Sequence, residues 1–208
     1  MAKMIDNKPS WKGEGKVWES LSANLPGDNV VYNQREVNGR EYDFCVMAEN
    51  LGLVIIEVKG WDPDKIDVRG VDNIIVDGYD APQTSPKKQA RAYRFAILNK
   101  IVEKYNASLL VLDMVCYPFI SQEQYVRTKL DIVSEPEYTI FKEDIEDGKK
   151  LNEKIQHLFT LNKFIPHADF SYDLMVRIRK QLEPDFKLSV IDNKNKPYSK
   201  LSIFPNGI

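Results

Sequence analysis

Apolar and polar positions alternate along this chain with two periods, one helical and one of strands. Val17, Trp18 and Leu21 recur at helical spacing and the pattern stops at Leu25-Pro26-Gly27-Asp28, which predicts a helix over 13–23. Two strand-like runs follow at 30–37 and 41–48, joined by an Asn38-Gly39 turn. A short loop at Glu49-Asn50 then leads into an apolar run ending at Lys59, so the three runs predict an antiparallel meander. Segments 66–69 and 73–77, punctuated by Gly70 and Asp77-Gly78, read as an added hairpin. Pro86 suits the first turn of a long helix over 87–105, because its missing N–H would have no partner there. Residues 108–117, SLLVLDMVCY, form a nearly continuous apolar run, the mark of a strand covered on both faces. Beyond it the pattern predicts a short strand at 138–141 and helices at 143–164 and 171–182. The polar, proline-containing stretch 184–208 reads as a linker or tail.

Composition narrows the class. A chain of 208 residues, 43% hydrophobic and 29% charged, has enough apolar matter for a real core, so one folded, soluble domain with an extension is expected. No apolar run approaches the roughly 20 residues that a bilayer demands. The opening MAKMIDNKPSWKG lacks the apolar stretch of a secretory signal, and Cys45 and Cys116 lie in strand-like runs as buried thiols; both features point to the cytoplasm. With only His157 and His167 present, histidine-based catalysis and His-rich zinc sites lose their footing. A net charge of −2 offers no global attraction to nucleic acid, so any basic surface must be local.

The chemistry concentrates where carboxylates interrupt apolar strands. Asp43 and Glu57 are such residues, and buried carboxylates need compensation. Positions 43 and 57 lie symmetrically about Asn50, so the hairpin places them opposite each other. Two facing anions disfavour each other's ionised form unless a cation joins them, and Mg2+ held by one or two carboxylates plus waters is a natural solution. Lys59 shares the face of Glu57 and Ile55, where its ammonium can orient a nucleophile or steady negative charge on a phosphodiester. The competing reading is a pair of edge carboxylates salt-bridged to Lys59 and Arg40.

Asp43, thirteen intervening residues, then Glu57-Val58-Lys59-Gly60 resemble the PD-(D/E)XK nuclease superfamily. More narrowly, GEGKVWESLSANLP, VVYNQREVNGREYDF, NLGLVIIEVKGW and PKKQARAY, in this order, resemble the NERD (nuclease-related) domain across residues 11–117. The resemblance implies an α/β, restriction-endonuclease-like core of α-β-β-β-α-β order; the apolar pattern beyond it adds residues 118–183 as a helical C-terminal extension of the same domain and 184–208 as a linker or tail. The resemblance also implies a Mg2+- or Mn2+-dependent DNA nuclease that works with a helicase. Carried onto this chain, Glu14 matches the acidic residue of the first helix, Asp43 and Glu57 the metal ligands with the Val58 backbone carbonyl, Lys59 the catalytic lysine, and Gln89 the glutamine of the second helix. Tyr42 stands where the superfamily has proline. No Gx4GK[ST] phosphate loop occurs, so a helicase would be another polypeptide or a further part of this one.

Glu14 also precedes Val17, Trp18 and Leu21 by helical steps, which turns it inward; the alternative is a first-turn glutamate favoured by the helix dipole near solvent. Lys87, Lys88, Arg91 and Arg94 cluster at the start of the second long helix, with Lys87, Arg91 and Arg94 on one face, a candidate DNA-contacting surface or simply a solvated one. Tyr93 and Phe95 read as core packing rather than base stacking. Asp62, Asp64 and Asp67 lack the glycine and distal glutamate of a calcium loop and read as a surface turn. A non-catalytic module that keeps the fold and docks DNA or a partner remains the opposing class.

Overall fold

The computed structural model describes residues 1–37 and 39–183, apart from the side chains of Arg40 and Gln181. The anticipated Asn38 turn position and the 184–208 tail lie outside them. Residues Met1–Asp169 form one compact unit and a second begins at Phe170.

The first unit is a mixed α/β layer structure. Its sheet begins with β1 (Lys3–Met4), which pairs parallel with β2 (Val30–Val37). β2, β3 (Arg40–Ala48) and β4 (Gly52–Val58) then run as the antiparallel meander that the alternation predicted. β7 (Val111–Cys116) adds parallel to β4, and β8 (Thr139–Ile140) parallel to β7, giving the order β1-β2-β3-β4-β7-β8. Every residue of β4 and β7 is buried, as continuous apolar runs covered on both faces should be. The hairpin of β5 (Ile66–Gly70) and β6 (Asn73–Val76) stands apart as a two-stranded sheet.

One face of the sheet, with Phe44, Val46, Val54, Ile56, Leu112 and Met114, packs on α1 (Lys12–Asn24) and α5 (Gly148–Leu161) through Val17, Leu21, Leu151, Ile155 and Leu158. The opposite face receives α2 (Pro86–Tyr105), which starts at a Ser85 cap accepting from Lys88 N–H and ends at Asn106 in the left-handed region. At the β3–β4 turn Gly52 has φ +145, and an added Cβ would collide with the Leu110 carbonyl, so only glycine lets β4 start this close to its neighbour.

The expected continuous helix over 143–164 is broken. α4 (Lys142–Glu146) stops at Asp147, whose carboxylate accepts from the N–H groups of Lys149 and Lys150 and so starts α5 afresh. α3 (Gln122–Arg127), which the apolar period did not reveal, is set by a reciprocal capping box between Ser121 and Gln124. The second unit contains α6 (Tyr172–Leu182), capped by the Ser171 hydroxyl. Among the described residues, no helix is long and apolar enough to cross a membrane.

Candidate active site

The site forms where β3 and β4 part. Their ladder runs in the register that pairs Phe44 with Ile56 and ends there. One residue further on, the Asp43 carboxylate takes over from the backbone and accepts the Val58 N–H at 2.6 Å. Glu57 is 5% exposed; one of its oxygens accepts from the Lys59 ammonium at 2.7 Å, and the other, Oε2, is buried without a hydrogen-bond partner. An orphaned carboxylate oxygen in such a setting is costly, and it leaves an acceptor for a ligand to use.

Glu14, in the first turn of α1, is partly buried and accepts from the Gln34 amide at 2.9 Å. Gln34 has φ +52 in the middle of β2, a conformation rarely adopted by a residue with a side chain, and it falls at the strand position skipped between the Asn33–Phe44 and Arg35–Tyr42 pairs. That position is opposite Asp43, so a strained backbone sits beside the acidic cluster. No sequence pattern announced Gln34, because its signal is a backbone angle. α1 approaches the end of β4 closely at Gly13, where an added Cβ would stand 3.2 Å from the Gly60 Cα.

The three carboxylates act on one another. Burial and the neighbouring Asp43 charge raise Glu57 to about 7, against the opposing pull of Lys59. Burial also raises Asp43, partly offset by the Val58 N–H, and burial followed by the Asp43 charge raises Glu14. Glu14, Asp43 and Lys59 line a common cleft of about 580 Å3 with Trp11, Lys12 and Tyr79. Among the described residues, no group of three or more His, Cys, Asp and Glu side chains is placed to enclose a metal. The donors on offer are Asp43 and the unpartnered oxygen of Glu57, a set that fits a hard cation keeping most of its waters.

Gln89 is partly buried, and its amide donates to Thr84 Oγ1 at 2.9 Å. The basic face expected on α2 is divided: Lys87 and Arg94 turn to the sheet, while Lys88 and Arg91 stay exposed. Lys87 is buried, and its ammonium lies 2.9 Å from Asp113 and 3.9 Å from the centroid of the Tyr138 ring. Burial pushes the Lys87 ammonium below its usual range, which Asp113 partly resists. Arg94 holds the other Asp113 oxygen at 3.1 Å and Lys88 pairs with Asp72, leaving Arg91 exposed. Lys87 is therefore no surface contact for DNA: helical spacing grouped it with Arg91 and Arg94 but could not say which of them faces the sheet. Asp113 is the residue that sequence reasoning missed, although a carboxylate within SLLVLDMVCY carries the same signal that singled out Asp43 and Glu57. Phe95, expected in the core, is 47% exposed, with Arg94 over its ring. Asp62 and Asp64 lie in a surface turn and pair with Lys65 and Arg127, while Asp67 lies in β5 and pairs with Arg69. The salt bridge of the competing reading is present on its Lys59 side.

A central sheet flanked by helices, with paired acids and a lysine at the opening of a strand pair, defines the class of nuclease-like α/β folds. The chain belongs to the nuclease-related domain (NERD) family, whose profile matches residues 9–118. No curated protein and no solved structure matches the chain significantly.

Proposed function

We propose that this protein is a Mg2+- or Mn2+-dependent deoxyribonuclease that hydrolyses phosphodiester bonds at the Asp43, Glu57 and Lys59 cluster. The observation that carries the reading is the unpartnered, buried Glu57 oxygen beside Asp43 and Lys59 in a family of nuclease-related domains. Asp43 and Glu57 would hold the cation, with the Val58 carbonyl as a further donor. When bound, the metal supplies Lewis-acid activation of water and neutralises phosphoryl charge. Lys59 orients the attacking water or steadies the charge that develops on the phosphate, and its present contact with Glu57 keeps it at the site. Glu14, tethered by Gln34, sets the cleft's acidic wall. The activity belongs to DNA processing or defence in a reducing cytoplasm, alongside a helicase.

The Lys59–Glu57 ion pair favours a second reading, a non-catalytic docking module in which the lysine offsets the Glu57 charge. Substitution of Lys59 separates them. Lys59→Ala should lower cleavage on the order of 100-fold or more while DNA affinity changes little. A wild-type protein that binds DNA with metal but cuts no form of it, and that Lys59→Ala leaves unchanged, establishes the docking module instead.

A further inference from the structure

We infer that the cleft takes an unpaired DNA strand, whose bases stack on Trp11 and Tyr79 while its phosphates meet Lys12. The inference rests on the nuclease reading for the identity of the polymer, and adds its strandedness.

Four aromatic side chains are exposed among the described residues: Trp11 at 72%, Tyr79 at 54%, Phe95 and Phe164. A single exposed aromatic needs no explanation. Two of these four, however, line the same cleft as Glu14, Asp43 and Lys59. They reach it from separate parts of the chain, Trp11 from the residue that precedes α1 and Tyr79 from the turn after β6, where its N–H donates to the Val76 carbonyl. The hairpin that stands apart from the main sheet thus has a use: it carries an aromatic ring to the reactive cleft.

Trp11 is the residue before α1, where its backbone carbonyl accepts the Gly15 N–H at 2.8 Å, while the residue as a whole is 72% exposed. Beside it Lys12 is exposed, makes no ion pair among the described residues, and lies 5.5 Å from the centroid of the Phe119 ring. A second concavity of about 320 Å3 adjoins the cleft, sharing Trp11, Lys12 and Phe119 and adding Lys8, which pairs with Glu19 of the same wall, and Lys16, which pairs with Glu146. Lys16 reaches the Phe119 ring as well, at 5.8 Å.

Two exposed aromatic side chains and the exposed Lys12, unpaired among the described residues, match along one cleft the chemistry of a single strand. Its bases offer free π-faces and its backbone a line of negative charge. A duplex hides those faces within its own stack and shows a protein mainly phosphates and groove edges. At the start of α2, Lys87 and Arg94 turn to Asp113, so only Lys88, paired with Asp72 at the surface, and the exposed Arg91 are left there to meet a duplex's phosphates.

The test uses the intact chain with fluorescein-labelled DNA of one sequence, single-stranded or fully paired. Binding is read by anisotropy in Ca2+ and cleavage in Mg2+ or Mn2+. The wild type should bind the single strand more tightly than the duplex. Trp11→Ala and Tyr79→Ala should each weaken single-strand binding about 10-fold, with Trp11→Phe restoring most of the loss and Phe164→Ala causing none. These rings are exposed, so an unchanged thermal unfolding curve will show that the variants fold. Equal or tighter duplex binding, or single-strand binding that neither alanine variant moves, overturns the inference even if the protein cuts DNA. Single-strand binding lost in both alanine variants, with no cleavage by any form, supports the inference and removes the nuclease reading alone.

Discussion

At the scale of single residues, burial and charge decide what the acidic cluster does. Glu57 has an ordinary value near 4.5 and is raised to about 7, first by burial and then by Asp43. The native state therefore keeps a proton that the unfolded chain has released between those limits. The resulting stabilisation is complete below about pH 4.5 and is lost as pH climbs through about 7. In EDTA, the wild-type melting temperature should fall relative to Glu57→Gln between pH 5 and pH 8, because glutamine carries no charge to bury. Parallel curves for the two proteins would contradict this. The acids were legible in the sequence because a carboxylate inside an apolar strand is conspicuous, and Lys59 because it follows Glu57 by one strand period. Lys87 was misread since its partner, Asp113, lies 26 positions away on β7, a strand that the helix packs against.

At the scale of elements, that same partner ties α2 to β7. Asp113 is 1% exposed and takes Lys87 on one oxygen and Arg94 on the other, so its one negative charge is shared between two cations that α2 brings to the sheet, with Glu135 3.9 Å from Lys87 as well. Removing one member of a buried ionic group leaves uncompensated charge, typically at a cost of about 3–5 kcal/mol. Asp113→Ala should therefore lose stability of that order in urea unfolding, and Asp113→Asn less because it keeps an acceptor; a loss below about 1 kcal/mol would show that water or other groups already serve Lys87 and Arg94. The meander, the long second helix and the buried β7 were readable from periodicity and from Pro86. The break at Asp147 was not, because apolar spacing continues across it while the chain restarts on a local cap. α3 was hidden for a related reason: it is six residues long and owes its existence to Ser121 and Gln124 rather than to an apolar stripe.

At the scale of the whole molecule, a sheet covered on both faces holds mutually repelling carboxylates at the edge of its core. A divalent cation that binds only this folded arrangement adds stability by mass action, about 2.7 kcal/mol at a hundredfold excess over its dissociation constant. Millimolar Mg2+ or Mn2+ should raise the melting temperature of the wild type and leave Asp43→Ala unmoved; no shift in either would favour the ion-paired docking module. The fold class was readable from the order of elements. The net charge of −2 was silent about substrate, because the decisive groups are a few side chains around one cleft.

The most direct measurement is hydrolysis itself: linear and circular DNA incubated with the intact protein in Mg2+, Mn2+ or EDTA, beside Asp43→Ala prepared in the same way. The account predicts cleavage with either metal, none in EDTA, and a loss of at least about 100-fold in the variant. Cleavage that persists in EDTA, or that Asp43→Ala performs as well as the wild type, would contradict it.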